Sequence, residues 1–329
     1  MRLIQAEQLT RIYRQKIKKP GLKATFKSLI HTKWTEKIAL DCISFNMEEG
    51  ESLACIGENG AGKSTLIKIL IGILNPTSGS VRVYNKNPMR HHEAYLRKIG
   101  VIFGQKTNLW IDIPVIESYR AIRTLYKLDY KLYENNLKMV TELLDLEPIL
   151  NFPARRLSLG QRMKADIGMV FLHSPKILYL DEPTIGLDIN VKLIIRKFLR
   201  KMNQEQGTSI LLTSHDLDDI EQISDNALVL SKGKVFYQGS LKGLKENYAT
   251  TRLITVKGNT RDQGIAYIPT GVQVSNEGVV TKLTYDIRNY TSARMLEWVS
   301  RCFNVEDITI EEPGIDHVVS QIFTENAQS

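Results

Sequence analysis

The stretch that most restricts the fold is GENGAGKST, residues 57–65. It follows the apolar run LACI and precedes LIKILIGI, so the chain passes from strand to helix within a few residues. The pattern G-x-x-x-x-G-K-[ST] in that context is a phosphate-binding loop. Gly57, Gly60 and Gly62 let the backbone turn its N–H groups inward around phosphate oxygens. Lys63 adds a point charge, and the Ser64 hydroxyl is a Mg²⁺ ligand. Residues Gly57, Glu58, Asn59, Gly60, Ala61, Gly62, Lys63, Ser64 and Thr65 therefore form a nucleoside triphosphate site.

A second constraint lies downstream. KILYLDEP is nearly continuous in apolar residues, the pattern of a strand covered on both faces, and SILLTSHD repeats it about thirty residues on. The amphipathic stretch VKLIIRKFLRKMNQEQG between them completes a βαβ unit in a parallel sheet. Asp181 and Glu182 end the first of these strands, and two adjacent carboxylates there are costly unless a cation meets them. Asp181 is placed to hold Mg²⁺ through a water, and Glu182 to act as general base on the attacking water. His215 ends the next strand at the same sheet edge and can sense a γ-phosphate. Gln105, after the apolar strand in GVIFGQ, is placed to reach both Mg²⁺ and water. A second anion site opens at LSLGQ, where Ser158, Gly160 and Gln161 begin a helix whose N-terminus favours negative charge.

These motifs, in this order and together with GLD at 186–188, resemble the ATP-binding subunit of ABC transporters, over about residues 1–240. The resemblance implies an α/β phosphate-loop ATPase of ABC type, with a parallel-sheet core, an antiparallel β subdomain and a helical signature subdomain at about 106–165. It also implies that two copies, or two paired ATPase subunits, close head to tail around ATP. Ser158, Gly160 and Gln161 of one then meet the γ-phosphate held by the other, and Asp188 lies across the dimer contact. The family has Gly where Leu159 stands. For the adenine ring the resemblance expects an aromatic residue after the first strand, which is Tyr13, with Trp34 as the alternative. It further implies an integral-membrane permease as partner, motion passing to it through the region near Asn108 to Tyr119, and a place on the cytoplasmic face of the membrane. The insertion, LSLGQRM and DEPTIGLD together point to exporter-type subunits with a separate permease chain.

Charge sharpens one part of this reading. The formal net charge is +8, and residues 14–37 carry eight cations against Glu36, which is seven of those eight charges. The basic, partly amphipathic insertion at about 14–37 suggests contact with an anionic inner leaflet or with the permease. No apolar run is long enough to span a bilayer, and MRLIQAEQLTRIYRQ has no apolar stretch typical of a secretion signal. Cys42, Cys55 and Cys302 have no metal-like spacing and read as buried, reduced thiols.

The ATP-binding domain is expected over 1–245, and a small C-terminal α+β accessory domain over 246–329. Strands are expected at RLITVKG, VVTKLTYDI and VEDITIEEP, and helices at SARMLEWVSRCF and IDHVVSQIF. The rival reading is a soluble ABC-type ATPase acting on nucleic acid or ribosomes. It lacks both a long coiled-coil insertion and a second cassette, so no nucleic-acid partner is expected. Glu182 and His215 argue against a non-hydrolysing regulatory module.

Overall fold

A computed structural model of the chain describes residues 2–16, 34–90, 92–104, 106–248, 251–261 and 268–311. Gln105, most of the basic insertion and the helix expected at IDHVVSQIF lie outside the described residues. The chain divides into two compact units, Met1–Leu241 and Lys242–Ser329.

Two sheets build the first unit. β1 (Arg2–Lys16) lies between β2 (Trp34–Glu48) and β4 (Ser78–Val83) in an antiparallel three-stranded sheet. The second sheet has six strands: β3 (Ser52–Gly57), β5 (Ile99–Phe103), β6 (Ile177–Asp181), β7 (Ser209–Thr213), β8 (Asn226–Ser231) and β9 (Lys234–Ser240). Their order is β5-β6-β7-β3-β8-β9, parallel except for the β8–β9 hairpin. The helices are α1 (Lys63–Leu70), α2 (His92–Leu96), α3 (Val115–Tyr126), α4 (Tyr130–Leu143), α5 (Leu159–Phe171), α6 (Ile189–Gln206) and α7 (Leu217–Ile223); α8 (Leu241–Tyr248) starts where the units divide.

Burial on both faces explains the apolar runs. Ile177 and Tyr179 of β6 join the core formed with α1 and the antiparallel sheet, including Leu66, Ile67 and Phe45. Leu178 and Leu180 point the other way, into the core with Tyr119, Phe171 and Phe198 from the helices. Side chains alternate along a strand, so both sets had to be apolar. Helix ends follow local chemistry: Asp188 caps α6 by accepting from Val191 N, and Gly207 closes it at φ 64°. α1 stops at Leu70, and Gly72 turns the chain out at φ 78°.

In the second unit, β10 (Thr251–Thr260), β11 (Gln273–Glu277), β12 (Val280–Asp286) and β13 (Phe303–Glu311) form an antiparallel sheet in the order β11-β12-β10-β13. Met295 and Val299 of α9 (Ser292–Cys302) pack on Ile254, Val256, Leu283 and Tyr285. Short, polar β11 carries no strand signal of its own and is fixed by pairing with β12. The cysteine expectation holds for Cys55 alone: it is buried, while Cys302 is half-buried and Cys42 exposed. Burial pushes the Cys55 thiol up to about 12. Among the described residues, no helix is long and apolar enough to cross a membrane.

Candidate functional site

The loop between β3 and α1 is held open by glycine at a position no other residue fits. Gly62 sits at φ 108°, and a Cβ there would fall 2.4 Å from Ala39 O. The turn is closed by Ala61 N donating to Glu58 O. Lys63, buried at the start of α1, folds back and donates Nζ to Gly57 O at 2.5 Å and Glu58 O at 3.1 Å. A positive charge is thus concentrated against a helix start with no side-chain cap, which is a favourable place for phosphate.

Two carboxylates meet this loop from the end of β6. Asp181 Oδ1 accepts from Ser64 Oγ at 3.1 Å and from Thr213 Oγ1 at 2.7 Å. Hard oxygen donors at this junction suit Mg²⁺. No group of three or more His, Cys, Asp or Glu among the described residues could hold a metal by itself. An ion here therefore needs phosphate oxygens and water as well, the usual habit of Mg²⁺.

Glu182 leaves the strand in the left-handed region, φ 57°. This strained backbone is held by its N–H, which donates to Thr213 O and to Thr213 Oγ1. The turn aims the Glu182 carboxyl at the next strand end, where Oε2 accepts from His215 N at 3.2 Å. The His215 ring Nε2 is 3.2 Å from Oε1 but out of line for a hydrogen bond, so Oε1 is buried without one. Burial raises the Glu182 pKa above the usual carboxylate range, opposed by His215 and Lys63.

Tyr13, Lys37, Ala39, Asn59, Gly60, Gly62, Lys63, Ser64, Thr65, Glu182, Ile185 and His215 line one cavity of about 630 Å³. Tyr13 comes within 3.5 Å of Thr65 Oγ1, and the Arg11 guanidinium sits 4.8 Å over its ring. Trp34, the other aromatic candidate, is 53% exposed and pairs with Lys16, three rungs along the ribbon from Tyr13. It does not line the cavity.

The residues of the second anion site are elsewhere. Ser158 caps α5: its Oγ accepts from Gln161 N at 3.2 Å, while Gln161 Oε1 accepts from Ser158 N at 3.0 Å. Gly160 is buried, and a Cβ on it would fall 2.9 Å from Val191 Cγ2 of α6. Packing thus gives a reason for glycine there that the sequence does not reveal. Leu159 stands 47% exposed at the helix start, close to Gly186, and Asp188 is exposed as the cap of α6. None of Ser158, Gly160, Gln161 or Asp188 lines the cavity with the phosphate loop.

Two features escape a sequence reading. Thr213 braces both Asp181 and Glu182, but its threonine has no signal beyond ending an apolar strand. Behind His215, Asp219 is fully buried and accepts from Thr184, Ser214 and Arg196. Arg196 also reaches Asp216, so α6 is bound to the loop that carries His215.

Comparison with known proteins follows the same lines. The family model described as "ABC transporter" matches residues 40–185. The chain is 30% identical to ABC transporter ATP-binding protein NatA of Bacillus subtilis, over 62% of this chain and 83% of that protein. A solved ATP-binding subunit of an ABC transporter matches with a TM-score of 0.61 and 28% identity, over 75% of this chain and 93% of that one. CbiO1 from Clostridium perfringens, described as part of the ABC transporter complex cbiONQ, matches with a TM-score of 0.60 and 28% identity, covering 74% and 91%.

Proposed function

The chain belongs to the ABC transporter ATP-binding proteins, ATPases that bind and cleave ATP, and from that premise we propose that it is the ATPase subunit of an exporter. Two copies close around two MgATP, and the cycle drives a partner membrane permease from the cytoplasmic face. The observation that carries this reading is the separation within one chain of two anion-binding ends. The cavity at residues 57–65 gathers Asp181, Glu182 and His215, whereas the N-terminus of α5 with Ser158 and Gln161 lies outside it. A second copy, turned head to tail, brings the missing end to each cavity. Asp188 then stands at the contact.

In this mechanism the loop amides and Lys63 donate to the phosphate oxygens, and Tyr13 offers the ring face not covered by Arg11 to adenine. Ser64 and Asp181 would hold Mg²⁺, with Gln105 assigned to complete the set. When bound, the ion neutralises phosphate charge. Water attacks the γ-phosphorus in line, the bond to the β–γ bridging oxygen breaks, and Glu182 Oε1 takes the water proton. His215 holds Glu182 in place and meets the γ-phosphate.

The permease contact falls on an exposed apolar surface. Trp110, Ile111, Ile113 and Phe152 are all exposed, although each is large and apolar. They are held together by Arg155 N donating to Ile111 O and Val115 N donating to Phe152 O. The exporter direction is supported by LSLGQRM and DEPTIGLD and by the basic insertion about 14–37, which adds contact with the inner leaflet or permease.

Complementation tests the shared site. Lys63→Ala and Ser158→Arg variants should each be inactive alone. Mixed, they should regain ATP hydrolysis, because one cavity in the mixed dimer keeps both intact halves. Failure of the mixture to recover, with both variants folded, would reject the head-to-tail reading.

A further inference from the structure

Asp166 lies on α5, eight residues beyond Ser158, and is 2% exposed. Its Oδ1 accepts three hydrogen bonds from one short segment: Thr107 Oγ1 at 3.0 Å, Asn108 N at 2.7 Å and Leu109 N at 3.2 Å. A buried carboxylate so engaged is a strong tether, because charge-assisted hydrogen bonds in a low-dielectric site are costly to break.

The tethered segment is anchored at both ends. At its start, Gly104 N donates to Asp181 O at 2.8 Å, beside the nucleotide cavity. At its end, Trp110 N donates to Ser118 Oγ of α3, where the exposed surface of Trp110, Ile111 and Ile113 begins. A neighbouring bond, Tyr119 Oη donating to Ala165 O at 2.7 Å, holds α3 to α5. Asp166 thus joins the helix that Ser158 caps to a segment flanked by the strand end bearing Asp181 and by the apolar surface at 110–113.

We infer that Asp166 is a positioning residue that couples nucleotide closure to the 110–113 surface. It touches neither nucleotide nor reacting water. When α5 is drawn toward a nucleotide by its N-terminus, the three bonds to Asp166 carry residues 107–109 with it and reset the surface beyond. This rests on the reading of the chain as a nucleotide-driven transporter subunit. A tether with only a structural role would cost stability and nothing else.

The test uses the full chain with Trp34→Phe and Trp298→Phe, which leaves Trp110 as the one tryptophan of three. Binding of Mg²⁺ and a non-hydrolysable ATP analogue is measured by equilibrium dialysis, and Trp110 fluorescence is read in the same samples. Without Asp166 substitution, the analogue should bind and shift the Trp110 emission. Asp166→Ala should bind with a Kd within about twofold, lose most of the Trp110 shift, and lower kcat by about tenfold with little change in KM. Asp166→Asn keeps an acceptor at Oδ1 and should restore at least half of the shift, which separates coupling from failure to fold. The inference is overturned if Trp110 does not respond in the parent, if Asp166→Ala keeps the response, or if Asp166→Asn loses it while melting like the parent. Absence of analogue binding in the parent would instead overturn the underlying reading together with the inference.

Discussion

Ser64 and Asp181, 117 positions apart in the chain, meet in a hydrogen bond from hydroxyl to carboxylate of 3.1 Å. The contact brings the first turn of α1 to the end of β6, two strands away across the sheet. Neither residue is held in that place by its neighbours in sequence. The parallel order β6-β7-β3 does it, by ending all three strands at the same edge.

Replacing Ser64 by Ala removes one of the three assigned Mg²⁺ ligands. Metal-dependent ATP turnover should fall by about 10–100-fold. Binding of ATP in the presence of a chelator should change little, since the loop amides and Lys63 remain. Titration of activity against Mg²⁺ checks this through a rightward shift in the half-maximal concentration.

Glu182→Gln keeps the shape of the side chain and removes the proton acceptor. Turnover should drop by about 10²–10⁴-fold, while ATP binding persists and a dimer accumulates. Stopped turnover assays and gel filtration with ATP read the two effects. Near-normal hydrolysis by this variant would remove Glu182 from the role of base.

Much of this site was legible because the chemistry dictates residue type and spacing. A phosphate loop needs Gly at 62 and Lys at 63, and a strand buried on both faces can place Asp181 only at its end. Thr213 was not legible, because a threonine after apolar residues is common and its partners come from another strand. Asp166 was equally hidden: its donors lie 57–59 residues earlier in the chain, and an aspartate within an apolar helix announces no partner. Among the folds, β11 was missed because pairing rather than apolar alternation makes it a strand.

Tyr13 and Trp34 give opposite expectations for ATP affinity. Only Tyr13 lines the cavity, so Tyr13→Ala should raise KM for ATP several-fold, corresponding to about 1 kcal/mol of lost stacking. Trp34→Ala should leave KM near the parent value. A larger rise in the Trp34 variant would reassign the adenine contact.

Gly160 carries a packing constraint that can be tested apart from function. In Gly160→Ala the new methyl meets Val191, whose branched side chain has little freedom to move. The variant should lose about 1–3 kcal/mol of stability. Adding Val191→Ala vacates the space and should recover part of that loss in denaturant titrations. Additive losses in the double variant would show that the two positions do not compete for room.

The Asp166 carboxyl yields a stability prediction with a definite sign. Burial, opposed by the Thr107, Asn108 and Leu109 hydrogen bonds, raises its pKa from 3.8 to about 6. The folded chain therefore binds more protons than the unfolded chain between those values, and stability falls as pH rises through that window. A shift of about two units corresponds to about 3 kcal/mol as an upper figure, fully developed above pH 6. Asp166→Asn abolishes the titration. The stability of the parent minus that of Asp166→Asn, measured by denaturant unfolding from pH 4 to 7.5, should decline across the window and then level off. A difference that rises with pH would mean the three hydrogen bonds outweigh burial.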